Sequence, residues 1–186
     1  MKNVYLVGFM GTGKTSVGKE LAKARKCHFV DLDDLIELKE RRRITDIFAK
    51  DGEPYFRKIE KEALKEVSRE KGFIVACGGG VVLDKDNIKV MKETGKLICL
   101  SASCQAILKR VGGQSHRPLL NVPNPVKQID VLMKMRAPYY AQVDKVIDTS
   151  KLSIKQVISK IDKVTQESKK AKEKSKNHKV KVKSKK

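Results

Sequence analysis

Gly8-Phe9-Met10-Gly11-Thr12-Gly13-Lys14-Thr15 fits the pattern G-x-x-x-x-G-K-[ST], and it sits between an apolar run, Asn3–Val7, and a helical pattern through Val17, Leu21 and Ala24. That order, strand then glycine loop then helix, leaves little choice of fold. The glycines let backbone N–H groups curl around phosphate oxygens, and the helix that starts there aims the positive end of its dipole at the same anion. Lys14 reaches the β/γ-phosphates and the Thr15 hydroxyl suits Mg²⁺, so the segment binds a nucleoside triphosphate with its metal.

Four further runs read as strands: His28–Leu32, Phe73–Cys77, Lys96–Leu100 and Lys145–Asp148. Most are rich in Val, Ile, Leu or Phe, as strands covered on both faces require. Amphipathic stretches lie between them. Phe56, Ile59, Ala63 and Val67 form one apolar stripe, with Pro54 in its first turn, and Ile154, Val157, Ile158, Ile161 and Val164 form another. Strands alternating with helices give an α/β fold with a five-stranded parallel sheet flanked by helices in three layers. The 186 residues, 40% apolar and 5% aromatic, suffice for one domain, expected over 1–164. Gly112 to Pro125, with two Gly, three Pro and two Asn, reads as a long mobile loop, a lid.

No run of 18 apolar residues occurs, and no charged n-region or cleavage site precedes the first strand, so neither a membrane span nor a secretory signal is expected. The four cysteines form no C-x-x-C pair and read as buried, reduced thiols of a cytoplasmic protein. The formal net charge of +20 is uneven: residues 165–186 carry ten Lys against two Glu. Such a segment cannot bury enough surface to order itself, so a disordered tail is expected. It serves either as a solubilising arm or as a contact for nucleic acid; no aromatic residue interleaves its lysines to stack on bases.

Several polar positions have two readings on spacing alone. Asp31 and Asp33 share one face of the second strand and could hold a metal's shell and an acceptor hydroxyl, or Asp33 or Asp34 caps the helix that follows. Gly78-Gly79-Gly80 suits close approach of a ligand to backbone, or a turn into the helix after Asp84. Arg57 is either an anion clamp or the i,i+4 partner of Glu53, and Arg136 either a clamp or one cation among many. Arg117 on the lid could close over a γ-phosphate or be an exposed loop charge, and Arg110 could flank a base or end a helix in solvent.

Taken together, the phosphate loop at 8–15, Asp31-Leu-Asp33 with Ile36-Glu37, Asp46-Ile47-Phe48, Gly52-Glu53 with Phe56-Arg57 and Ile59-Glu60, the glycine triplet, Arg117-Pro118-Leu119-Leu120, and Arg136-Ala137-Pro138 with Tyr140 resemble the shikimate kinases, small P-loop kinases of aromatic amino-acid biosynthesis. The resemblance spans most of residues 3–149. It implies transfer of the ATP γ-phosphoryl group to the 3-hydroxyl of shikimate. No apolar patch beyond the needs of the core is evident, so a monomer that needs no membrane is expected. Gly11, Thr12, Gly13, Lys14, Thr15, Ser16, Arg110 and Arg117 would hold ATP, with Arg110 near the adenine. Thr15 and Asp31 would serve Mg²⁺, and Asp33, Arg57, Gly79, Gly80 and Arg136 would bind shikimate. Lys14, Asp33 and Arg117 would be catalytic, Asp33 as the base. The family's Arg/Pro loop after the last strand is replaced here by Ser150-Lys151-Leu152-Ser153-Ile154. The alternatives are a related small-molecule kinase with a gluconate-type acceptor, and a non-catalytic nucleotide-binding protein led by its basic tail. Removing residues 165–186 separates enzyme from tail-led binder: a kinase keeps its acceptor-dependent ADP release, whereas a binder loses its salt-dependent affinity for nucleic acid.

Overall fold

The computed structural model describes residues 1–111 and 124–166. Among them five strands form one parallel sheet: β1 (Asn3–Val7), β2 (His28–Asp31), β3 (Phe73–Ala76), β4 (Gly95–Ser101) and β5 (Lys145–Asp148), in the spatial order β2-β3-β1-β4-β5. The register pairs Leu6 with Ala76 on one side and with Ile98 on the other. The helices are α1 (Lys14–Arg25), α2 (Leu32–Glu40), α3 (Ile44–Arg69), α4 (Lys85–Thr94), α5 (Cys104–Val111), α6 (Pro125–Tyr140) and α7 (154–166).

Alternation along the strands builds two cores from one sheet. Val4 and Leu6 of β1 face the same side as Ile74, Ile98 and Leu100, where Val17 and Leu21 of α1 and Val157 and Ile161 of α7 cover them. Tyr5 and Val7 face the other side with Val75, Leu97 and Cys99, beneath Ile36 of α2, Leu64 of α3 and Met91 of α4. A third cluster, Phe9, Ala102, Ile107, Val111 and Ile129, packs α5 and α6 over the carboxyl end of the sheet. These are the three layers expected from the alternation of elements.

The edges depart from the sequence reading. β1 is buried at all five positions, but β5 is buried only at Ile147, and β2 has no fully buried residue. Edge strands have a neighbour on one side only, so less of their surface is covered. Cys77 and Cys99 are buried, whereas Cys27 and Cys104 are partly exposed; all four are free thiols.

Local boundaries differ too. The second strand stops at Asp31, and Leu32 already belongs to α2. Asp31 itself is the cap, its carboxylate accepting from Asp33 N–H at 3.1 Å, so neither Asp33 nor Asp34 plays that part. The α3 region contains a break at Gly52, whose φ of 80° lies in the left-handed region that glycine tolerates. Pro54 therefore falls in the first turn of the second half, where its missing N–H costs nothing. Residues 112–123 of the expected lid, with Arg117, and residues 167–186 of the tail lie outside the described residues. Asn124 and Pro125 belong to α6, the first as its cap and the second in its first turn.

Gly8 is the joint between sheet and loop. Its φ is 135°, and a side-chain carbon there would overlap the carbonyl oxygen of Leu100. Gly8→Ala therefore combines a strained backbone with a clash against a central strand. It should lower the unfolding free energy by at least about 3 kcal/mol in urea denaturation.

Candidate active site

Parallel strands deliver their carboxyl ends to one rim, and in sheets of this kind ligands bind there, where neighbouring connections run to opposite faces. Here β1 lies between β3 and β4, so the loop after β1, the glycines after β3 and the segment after β4 meet.

The first cavity, of about 350 Å³, is lined by Gly11–Val17 of the phosphate loop and α1, by Arg110 and Val111, and by Thr149, Leu152, Ile154 and Val157. Lys14 Nζ donates to the carbonyls of Gly8 and Phe9, both at 3.0 Å, which stretches the ammonium across its own loop. Thr12, buried, donates its hydroxyl to Phe9 O at 2.7 Å and so braces the turn from within. Arg110 does not end its helix in solvent. It donates to Gly11 O at 3.1 Å, to Thr149 Oγ1 at 3.0 Å and to Thr149 O at 2.7 Å, tying the phosphate loop to the end of β5. Thr149, buried, closes that network by donating to Thr12 O or Ser101 O, each at 3.0 Å.

Thr15 Oγ1 donates to Asp31 Oδ2 at 2.8 Å. Two hard oxygen donors thus stand side by side at the rim of the phosphate cradle. Mg²⁺ takes one or two protein oxygens plus phosphates and water, so this pair fits it.

Across the rim lies a second cavity, of about 800 Å³, whose lining includes Glu53, Arg57, Glu60, Gly80 and Asn87. Gly78, Gly79 and Gly80 form a corner without side chains, and each is packed against a charged group. A side-chain carbon on Gly78 would stand 2.9 Å from Glu60 Oε1 and 3.0 Å from Asp33 Oδ1. On Gly79 it would stand 3.1 Å from Arg136 Nη1, and on Gly80 it would overlap the Arg57 guanidinium. The fold therefore brings Asp33, Arg57, Gly79, Gly80 and Arg136 to one corner, although they come from α2, α3, the loop after β3 and α6.

Arg57 meets both of its readings. It makes the expected i,i+4 contact, Nη2 to Glu53 Oε1 at 2.9 Å, and it also donates Nη1 to Glu60 Oε2 at 2.7 Å while lining the cavity. Glu60 has no role in the sequence reading, yet it is 1% exposed. A charge set into the apolar stripe of Phe56, Ile59 and Ala63 was the available signal. Arg136 lies 5.6 Å from the centre of the Phe9 ring, a cation held over an aromatic face beside the phosphate loop.

Two oxygens stand out. Asp33 Oδ1 and Glu60 Oε1 are shut off from solvent, and neither has a hydrogen-bond partner among the described residues. A buried acceptor left unmade costs about 1–3 kcal/mol, so such atoms mark functional positions. Burial first, then the charges of Asp31 and Glu60, push the Asp33 carboxyl up to about 6, with Lys14 opposing them. Burial also raises Glu60, against the pull of Arg57.

A carboxyl raised in the folded state stabilises the fold below its unfolded value, near 3.8, and that contribution is lost as pH rises through about 6. Asp33→Asn removes the charge, so without ligands the variant should be more stable than the parent at pH 7–8, by up to about 3 kcal/mol. The difference should close below about pH 4. Urea unfolding at the two pH values checks it.

A family model described as shikimate kinase matches residues 10–166. A relative so described, from Thermodesulfovibrio yellowstonii, is 46% identical over 161 residues, 87% of this chain and 93% of its own. The solved shikimate kinase from Acinetobacter baumannii in complex with shikimate has a TM-score of 0.86 at 35% identity, covering 91% of this chain and 95% of that one. A gluconokinase from Sinorhizobium meliloti has a TM-score of 0.55 at 14% identity over 85% of this chain and 87% of that one, a likeness of fold alone.

Proposed function

The chain belongs to the shikimate kinase family and is an ATP-dependent kinase that phosphorylates shikimate; from that premise we propose how its own residues carry the reaction. The observation that supports the assignment most is the glycine corner, where one buried carboxylate, Asp33, and two arginines, Arg57 and Arg136, converge across from the phosphate loop.

Shikimate is a carboxylate on a ring bearing hydroxyls, and the corner suits that shape. Arg57 and Arg136 take the carboxylate, since a guanidinium grips such a group through paired N–H donors. The backbone of Gly79 and Gly80 completes the pocket, and Asp33 receives the 3-hydroxyl. On the other side of the rim, Gly11, Thr12, Gly13 and Ser16 wrap the phosphates with their N–H groups. Lys14 leaves its own carbonyls for the β/γ-phosphates, and Arg110 borders the adenosine end. Arg117, which lies outside the described residues, would answer the γ-phosphate, as the family resemblance implies.

Thr15 and Asp31 would hold Mg²⁺, directly or through its water shell; when bound, the ion offsets charge on the phosphates. In the transfer step the shikimate 3-oxygen bonds to the γ-phosphorus while the bond from that phosphorus to the bridging oxygen of ADP breaks. The hydroxyl proton passes to Asp33, and Lys14 and Arg117 offset the negative charge that spreads over the transferring group. A carboxyl titrating near pH 6 is a better proton acceptor than an ordinary aspartate. We further read the enzyme as a cytoplasmic monomer comprising residues 1–164, with the basic tail outside the catalytic unit. Among the described residues no helix is long and apolar enough to cross a membrane.

ADP release from MgATP, with shikimate or gluconate as acceptor, tests these roles. Shikimate should support turnover and gluconate should not. Asp33→Asn should lower kcat by roughly 10²–10⁴ with ATP still bound. Arg57→Ala should raise the KM for shikimate by about 10–150-fold, the loss of a charge-assisted bond to an anion. Equal KM for Arg57→Ala and the parent would remove the arginine from the pocket.

A further inference from the structure

We infer that Tyr140 is a positioning residue of the acceptor pocket: its hydroxyl holds the Gly79–Gly80 peptide in the orientation that turns the Gly80 N–H toward shikimate. The inference rests on the acceptor site proposed above and gives the glycine corner its aim.

Two adjacent glycines leave their shared peptide unit with no side chain to fix its rotation, so little intrinsic strain separates one orientation from another. That peptide is trans, as every peptide in the described chain is. In a planar trans unit the carbonyl and the N–H point in opposite directions. Whatever holds the Gly79 oxygen therefore aims the Gly80 hydrogen.

Tyr140 does hold it. Its phenol donates to Gly79 O at 2.8 Å. Burial pushes that phenol up to about 12, so it remains a donor throughout the working range of a kinase. The slot around Gly79 is narrow as well: a side-chain carbon there would meet Arg136 Nη1 at 3.1 Å, Gly8 O at 3.3 Å and Tyr140 Oη at 3.6 Å. Gly80, at the other end of the peptide, lines the second cavity with Arg57 and Glu60. The Tyr140 hydroxyl gives its proton to Gly79 O, so it acts through the peptide.

Helix spacing adds a second element. Tyr140 follows Arg136 by four residues on α6, so both project from one face of one helix. The carboxylate clamp and the peptide strut are carried by the same rigid element. Tyr140 also packs its ring against the core that contains Val7, Val81 and Cys99, which fixes the hydroxyl in place.

Tyr140→Phe keeps that ring and removes the hydroxyl, which donates to Gly79 O and accepts from the Arg136 guanidinium. Steady-state kinetics on the full chain, with Tyr139→Phe as a control and Arg136→Ala as a reference, give the test. Tyr140→Phe should raise the KM for shikimate about 5–10-fold. Its KM for MgATP should match the parent, its melting temperature should fall by no more than about 2–6 °C for the lost hydrogen bond, and Tyr139→Phe should match the parent throughout. If Arg136→Ala raises the shikimate KM and Tyr140→Phe leaves it unchanged, the strut is overturned while the acceptor site stands. A parallel rise in the MgATP KM would mean general loosening, and would overturn it equally. If neither variant moves the shikimate KM, the acceptor site itself is misplaced.

Discussion

Backbone meets backbone at the carboxyl end of β1, with no side chain between. Gly8 lies against the Leu100 carbonyl, and Gly79 lies close to the oxygen of Gly8. Parallel neighbours in a sheet emerge together at one rim, so β1, β3 and β4 deliver their loops within a few ångströms of each other. Only residues lacking a side chain can turn away there without displacing a strand. Because that joint is tight, α1 starts pointing at the phosphate cradle, and the glycine corner faces it across the rim. The reacting groups inherit their separation from the sheet rather than from flexible side chains, which is the preorganisation phosphoryl transfer needs.

The charges at that rim are arranged for a loaded site. Asp31, Asp33 and Glu60 crowd together, and the unpartnered oxygens of Asp33 and Glu60 raise the cost of the empty fold. Lys14 answers this in part, bonded to its own loop carbonyls, and Arg57 answers it by bridging Glu53 and Glu60. In the proposed reaction substrates complete the balance: phosphates would draw Lys14 away, and an acceptor hydroxyl would meet Asp33. Stability withheld from the empty protein in this way reappears as ligand affinity.

The nucleoside end follows a different rule. Arg110 and Thr149 are joined to each other by two hydrogen bonds and to the phosphate loop by two more, and the wall beyond them is aliphatic, built by Leu152, Ile154 and Val157. Where the family resemblance leads one to expect an Arg/Pro wall, this chain places apolar surface next to an arginine already engaged by backbone.

What could be read from sequence alone was whatever depends on residues near one another along the chain. The phosphate loop is complete within eight consecutive positions, so its chemistry was legible without a fold. The central strands were legible because both of their faces are apolar, and the Arg57–Glu53 pair because helical spacing brings four-apart residues together. The edge strands, the capping role of Asp31 and the burial of Glu60 were not, because each depends on what packs alongside. Tyr140 shows the limit best: it stands in a motif that resemblance picks out, yet its partner, Gly79, lies 61 residues away. Sequence named the candidate groups; only the tertiary structure decided which carboxylates lose water, because desolvation is set by the segments that close over a side chain and not by its neighbours in the chain.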